Sequence, residues 1–299
     1  SRFGRMRMMV VKYYVVFLFA LCCMRGSAQR RITMAVLSDR SRLLYGCMDL
    51  SNYETIDTAR MVVSYDFTSI QDVNTGLKRR DVLILQVGSR MTKCYGLRRY
   101  LQNQAYTRFL HEKKSDRIDM EFAGDGTVAY EIFLDKSRNM LLFFNEEPGW
   151  FSKRIGYEEE LPTIEWRITG PCNSLSGYHC FSAEGRFSGR FWRVVFTPEL
   201  PFNAGPWKLC GLPGLILQAE DTERQFRFES LEIKRVEEPI YMYDIQTDRT
   251  TKGKWQRLER AMYQMPYFFF SNGGKARISS GGEDLDETWT IPYNPIERE

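Results

Sequence analysis

Apolar and polar residues alternate with a period of two through most of this chain. In "ARMVVSYDFTSI" (59–70), Val63, Tyr65 and Phe67 fall on one side of an extended backbone. The β-branched and aromatic content of the segment also predicts a strand. "RDVLILQVGSRMTKCYG" (80–96) predicts two strands with a turn near Gly88. "TVAYEIFLD" (127–135) and "NMLLFFNE" (139–146) flank "KSR" and predict a hairpin. Five further strands are predicted over 163–169, 177–185, 189–198, 215–222 and 225–236. Strands recurring every ~10 residues with turn residues between them point to an antiparallel sheet or barrel.

Helical spacing is rarer. "AYTRFLHEKKSDRIDMEF" (105–122) puts Tyr106, Phe109 and Leu110 on one face, with charge on the other. "KGKWQRLERAMYQ" (252–264) does the same with Trp255, Leu258 and Met262. The fold class expected is mainly β with minor α: a single curved antiparallel sheet or partial barrel with one or two peripheral helices. It would occupy 57–270 as one β-rich domain. Residues 29–56 would be an N-terminal arm and 271–299 a mobile C-terminal tail.

One stretch breaks the pattern. Four of the eleven prolines, Pro198, Pro201, Pro206 and Pro213, lie between 197 and 213. Proline lacks a ladder donor, so this segment is not a central strand. Within "GPWKLCGLPGLIL" (205–217), structural turns are expected at Gly205, Pro206, Gly211, Pro213 and Gly214. "LPGL" (212–215) places Pro213 and Gly214 at the centre of a type II turn, with Gly214 at positive φ. Seven aromatic residues, Phe181 to Trp207, crowd the approach to it, with Arg186, Arg190 and Arg193 interleaved. Two readings stay open: core packing, or a rim that binds a ligand or partner through Arg190, Trp192, Trp207, Leu212 and Pro213. Arg190 is expected to pair with a carboxylate such as Glu199.

The first residues change the charge picture. Arg5, Arg7 and Lys12 precede the apolar run "YYVVFLFALCCM", and Gly26 and Ala28 follow it. That is the pattern of a secretory signal peptide over 1–28, cleaved after Ala28. Residues 1–28 hold five basic residues and no acid, so the formal charge of +4 becomes −1 for the remainder. No nucleic-acid partner is expected from that balance, and no transmembrane span after signal removal. Five cysteines remain: Cys47, Cys94, Cys172, Cys180 and Cys210. Cys172 and Cys180 could close a disulfide in an oxidising compartment, or both stay reduced.

Candidate chemistry is thin. His111 and His179 are the only histidines, both expected to face solvent, and no G-x-S-x-G occurs. No zinc spacing and no phosphate loop is present, so no metal, cofactor or catalytic residue is assigned. Glu158, Glu159, Glu160, Glu165, Glu199, Glu220 and Asp221 are the carboxylates that a glycosidase-type pair would draw on.

A set of spaced motifs resembles the GLPGLI family of exported Bacteroidota envelope proteins. They are Gly177, Tyr178, Cys180 and Ala183; then Phe187, Gly189, Arg190 and Trp192; then "FTPELP"; then "GPWK" followed by "GLPGLIL". The resemblance extends from about 57 to 265, with Cys94 and Val195 departing from it. It implies export and a β-rich domain, and no established catalysis. The function expected is a non-enzymatic binding or accessory protein, periplasmic or outer-membrane-associated. Its partner would be an envelope or outer-membrane protein of a transport or assembly system. A carrier of a lipid or other apolar ligand on a half-barrel, and a carboxylate-dependent hydrolase, are the alternatives.

Overall fold

The computed structural model describes residues 30–35, 47–112, 117–122, 128–146, 154–271, 278–280 and 283–298. The expected signal peptide, 1–28, lies outside them. The protein is mainly β, built on one large curved sheet that does not close into a barrel. Its strands are β2 (Tyr53–Asp72), β3 (Leu77–Gly88), β4 (Met91–Gly96), β6 (Tyr130–Asp135), β7 (Met140–Glu146), β8 (Arg154–Glu160), β9 (Arg167–Leu175), β10 (Tyr178–Phe187), β11 (Arg190–Thr197), β12 (Leu215–Asp221), β13 (Phe226–Tyr243) and β14 (Thr247–Arg249). Their order is β14-β8-β7-β6-β4-β3-β2-β13-β12-β11-β10-β9. Neighbours are antiparallel except β14 and β8. Two short pairs stand apart: β1 (Arg30–Ala35) with β5 (Arg117–Phe122), and β15 (Ile278–Ser280) with β16 (Glu283–Leu285). Among the described residues, three helices accompany them: α1 (Leu97–Glu112), α2 (Lys252–Gln264) and α3 (Pro266–Phe270).

The period-two pattern explains the main core. Met61, Val63, Tyr65 and Phe67 of β2 point to one face, where they meet Leu83, Leu85 and Val87 of β3. The expected hairpin over 127–146 forms as β6 and β7. Its turn is held by the Asp135 carboxylate, which accepts from Ser137 N at 3.0 Å and Arg138 N at 3.2 Å. A local side-chain acceptor of this kind fixes a turn without long-range help.

The segment between β11 and β12 fills the concave face. Trp207 and Lys208 adjoin in sequence. The Trp207 ring lies 5.8 Å from that of Trp192 on β11. Lys208 Nζ lies 2.9 Å from the Tyr157 hydroxyl on β8. Those strands are eight places apart in the sheet. In a flat sheet that is about 38 Å at ~4.8 Å per strand. The sheet therefore curls around this loop, whose Leu200, Trp207, Leu209 and Leu212 join the strand residues of the main core.

The long strands β2 and β13 also serve the opposite face. Register shifts fall between Ala59 and Met61 on β2 and between Arg235 and Glu238 on β13. An extra residue moves side chains to the other face and bends the strand. Beyond the shifts, Ala59 and Ile240 pack with Met91, Phe133, Leu142 and Phe144 in a second cluster on the sheet's outer side.

Four expectations differ from the structure. The helix expected over 105–122 runs instead from Leu97 to Glu112, and 117–122 is a strand. Its buried residues are Gln102, Asn103 and Tyr106. Because Gln102 and Asn103 share the buried face with Tyr106, the apolar period at Tyr106, Phe109 and Leu110 did not mark the helix's bounds. The strand expected over 163–169 begins only at Arg167. Trp166 is held off the ladder, because its indole N–H donates to Cys210 O at 2.7 Å. The type II turn at 212–215 is absent, since Gly214 does not have positive φ. Gly214 is needed for closeness: a Cβ there would stand 2.1 Å from Thr197 O. The left-handed positions of this loop are Trp207 and Gly211. The tail expected to be mobile is bound to the sheet over 294–298, through Arg190, Lys208 and Glu223.

Candidate functional site

The residues proposed for a binding rim do not form one. Trp192, Trp207 and Leu212 are buried in the main core, and only Pro213 is exposed. Arg190 is buried too, and its partner is Asp221 at 2.8 Å, not Glu199. Glu199 instead accepts from His179, from the backbone N–H at 2.8 Å and with Nδ1 at 2.6 Å. The expected turn residues sit where the loop is tightest. Pro206 O accepts from Leu209 N at 3.1 Å, and Gly205 lies against Leu209 O and Ile216. Cys172 and Cys180 are partners across β9 and β10, but both thiols are free. Among the described residues, no group of His, Cys, Asp and Glu is arranged to hold a metal ion.

The concave face holds a buried cation. Lys208, with no exposed side-chain surface, sits within it. It bonds the Tyr157 hydroxyl, Glu159 at 2.6 Å and Glu297 at 2.9 Å. An amphipathic stem buried along Phe143 and Tyr157 carries a fully paired ammonium head. Lys208 and Lys252 hold the Glu297 carboxyl below its usual range, against a burial effect that would raise it.

The open recess lies on the outer face, where the far ends of β2 and β13 meet α1. It has a volume of about 260 Å³ and is lined by Tyr53, Tyr100, Tyr241 and Tyr243, with Gln104 and Arg108 at its edge. Tyr53 stacks obliquely on Tyr241 with ring centres 4.5 Å apart, and Tyr53 remains 54% exposed. Alternation along β13 and the antiparallel partner at Tyr53 bring three of the rings together. The fourth comes from α1. Flat faces with hydroxyl tips offer stacking and hydrogen bonds in one place.

Beneath the recess is a buried ionic layer. Lys93 on β4 bonds Glu131 on β6 at 2.6 Å and donates to Tyr241 O at 2.7 Å. Its ammonium lies 4.6 Å from the centre of the Tyr243 ring. Arg154 on β8 bonds Glu131 at 3.2 Å and donates to Tyr243 O at 3.2 Å. Glu146 on β7 meets Arg99 at 2.9 Å and accepts from Asn103 at 2.6 Å. Burial pushes the Glu146 carboxyl up to about 7, with Arg99 opposing. Burial likewise lowers Lys93, with Glu131 opposing. Three cations thus face two carboxylates, one of which burial biases toward its neutral form. The cavity among these groups is about 30 Å³, room for water and little else.

None of these residues was singled out from the sequence. Tyr241 and Tyr243 lie beyond the end of the predicted strand over 225–236. Lys93 and Glu131 sit inside strands read for their apolar positions, and Asn103 precedes the predicted helix. The period-two pair in "YMY" was the one local signal.

No family model matches the chain, and no functionally described protein matches it. Among solved structures, two crystal forms of PNGF-II are similar, at TM-scores of 0.45 and 0.44 and 14% identity in each. The similarity covers 68% and 69% of this chain and 33% of each of those chains. The chain thus spans about a third of the length of the structures it matches.

Proposed function

We propose that this chain is a non-enzymatic binding protein, exported to the cell envelope and accessory to an outer-membrane transport or assembly system. The GLPGLI-like motifs supply the envelope assignment. The observation that carries the binding assignment is the tyrosine-lined recess of about 260 Å³ on the outer face. The concave face, where an apolar carrier would hold its guest, is filled by the 198–214 loop and contains the ion-paired Lys208. The hydrolase reading draws on carboxylates that include Glu158, Glu159, Glu199 and Asp221, which are bonded to Arg249, Lys208, His179 and Arg190; Glu146, which burial biases toward its neutral form, is not among them. The space at that carboxyl admits only water, so a substrate bond has no access to it.

The test is native mass spectrometry of the protein isolated from its own envelope, with wild type beside Tyr53→Ala. Tyr53 is more than half exposed, so its removal leaves the fold intact. The expected result is an added mass on wild type that Tyr53→Ala loses at an unchanged melting temperature. A bare wild-type chain, or an adduct retained by Tyr53→Ala, removes the recess as the binding surface.

A further inference from the structure

The segment 294–298 lies on the rim as an irregular stretch with bends at Ile296 and Glu297, read residue by residue. It forms no ladder with the sheet. Arg190 donates to three of its oxygens: Asn294 Oδ1 at 3.0 Å, Pro295 O at 2.6 Å and Ile296 O at 2.9 Å. Ile296 packs against the main core. The Glu297 carboxylate meets Lys208 at 2.9 Å, Lys252, and the Ser188 hydroxyl at 3.1 Å. Arg298 forms a two-pronged pair with Glu223, both bonds at 2.6 Å. Its backbone N–H donates to Ser188 O at 2.9 Å.

The receiving groups also have partners outside this segment. Arg190 is anchored from behind by Asp221 at 2.8 Å and Gln225 at 3.1 Å. Lys208 is anchored by Tyr157 and Glu159. Both cations are buried, and each keeps a sheet-borne partner when the segment leaves. None of the described side chains of 286–298 is fully buried. A preorganised receptor holds a ligand that has little core of its own, which is the arrangement of a binding site rather than a packed element.

We propose that this rim is a peptide-recognition site for an Asn-Pro-aliphatic-Glu-Arg segment bent at its centre, filled here by the chain's own residues 294–298 and able to accept the same segment from a second copy. The occupant is a second copy because this sequence is the one shown to satisfy every receptor group. Tethering favours the internal segment, since its effective concentration is in the ~mM range. Exchange therefore needs the internal contact weakened.

Two charge variants provide the test. Arg298→Glu opposes the chain's own Glu223, and Glu223→Arg opposes its own Arg298. Both side chains are partly exposed, and the buried Arg190, 4.0 Å from Glu223, keeps Asp221 as its partner in either variant. Each variant alone should remain monomeric, with about tenfold faster amide exchange over 288–298 than wild type. Mixed, the two are complementary in both directions and should form a one-to-one dimer by light scattering. The double variant Glu223→Arg/Arg298→Glu should return to a slowly exchanging monomer. Faster exchange without a mixed dimer overturns the proposal. Unchanged exchange in both single variants overturns it as well, because Glu223 then does not read Arg298.

Discussion

Arg190 and Asp221 form an ion pair at 2.8 Å in which each side chain is 1% exposed. Asp221 also accepts from the backbone N–H groups of Gln225 at 2.7 Å and Phe226 at 2.8 Å. It thereby closes the turn between β12 and β13 and orients Arg190 toward the 294–298 segment. Removing one partner strands a buried charge, which costs roughly 3–5 kcal/mol. Arg190→Ala and Asp221→Ala should each lower stability by that order in urea unfolding. Arg190→Lys should not restore it, because one ammonium cannot reproduce the fork that bonds Asp221, Pro295 O and Ile296 O. Recovery by lysine would show that only charge matters at this position.

Trp192 and Trp207 contribute packing. Both are buried among Phe187, Phe228 and Cys94. Either Trp→Ala change should cost about 3–5 kcal/mol, read as a shift of the unfolding midpoint at unchanged slope. A stable variant of either would return that residue to the list of binding groups.

Gly214 and Pro213 separate closeness from turn type. Gly214→Ala drives a Cβ to 2.1 Å from the Thr197 carbonyl oxygen, a backbone contact that cannot move aside cheaply. The expected loss is roughly 2–4 kcal/mol, at or above the usual range for overpacking. Pro213→Ala, at an exposed position, should cost under ~1 kcal/mol. Equal effects of the two would favour a turn-based role.

Glu146 makes stability depend on pH in a defined direction. Its carboxyl is raised from 4.5 to about 7 in the folded chain. Between those values the unfolded state gives up its proton first, so stability falls as pH rises from 4.5 to 7 and then levels off. The full effect is on the order of 3 kcal/mol. Glu146→Gln keeps an oxygen for Asn103 and cannot ionise. The difference in unfolding free energy between wild type and variant should therefore change across that window and be flat outside it. A constant difference from pH 4 to 8 would mean that Glu146 keeps its ordinary pKa in the folded chain.

Alternation with a period of two was enough to show a mainly β chain, its antiparallel succession and most strand positions. That pattern records which side of a strand is buried, and burial on one side is a local demand. The helix over 252–264 was legible for the same reason: Trp255 and Met262 enter the core directly. Helix α1 was misplaced because its buried face is Gln102, Asn103 and Tyr106, whose reason for burial lies on Glu146 and the 48–50 segment. The proline-rich loop could be recognised as outside the ladder, but not as the filling of the sheet's concave face. That role exists only because the sheet curls until β8 and β11 meet the same pair of residues, Lys208 and Trp207. The tyrosine recess and the ionic layer under it were likewise decided by tertiary structure. Their members come from β2, β4, β6, β7, β8, β13 and α1, and a one-residue register shift brings the ends of β2 and β13 over the outer face. Local pattern carries no record of such long-range convergence, since each charge there is satisfied by a partner far away in sequence.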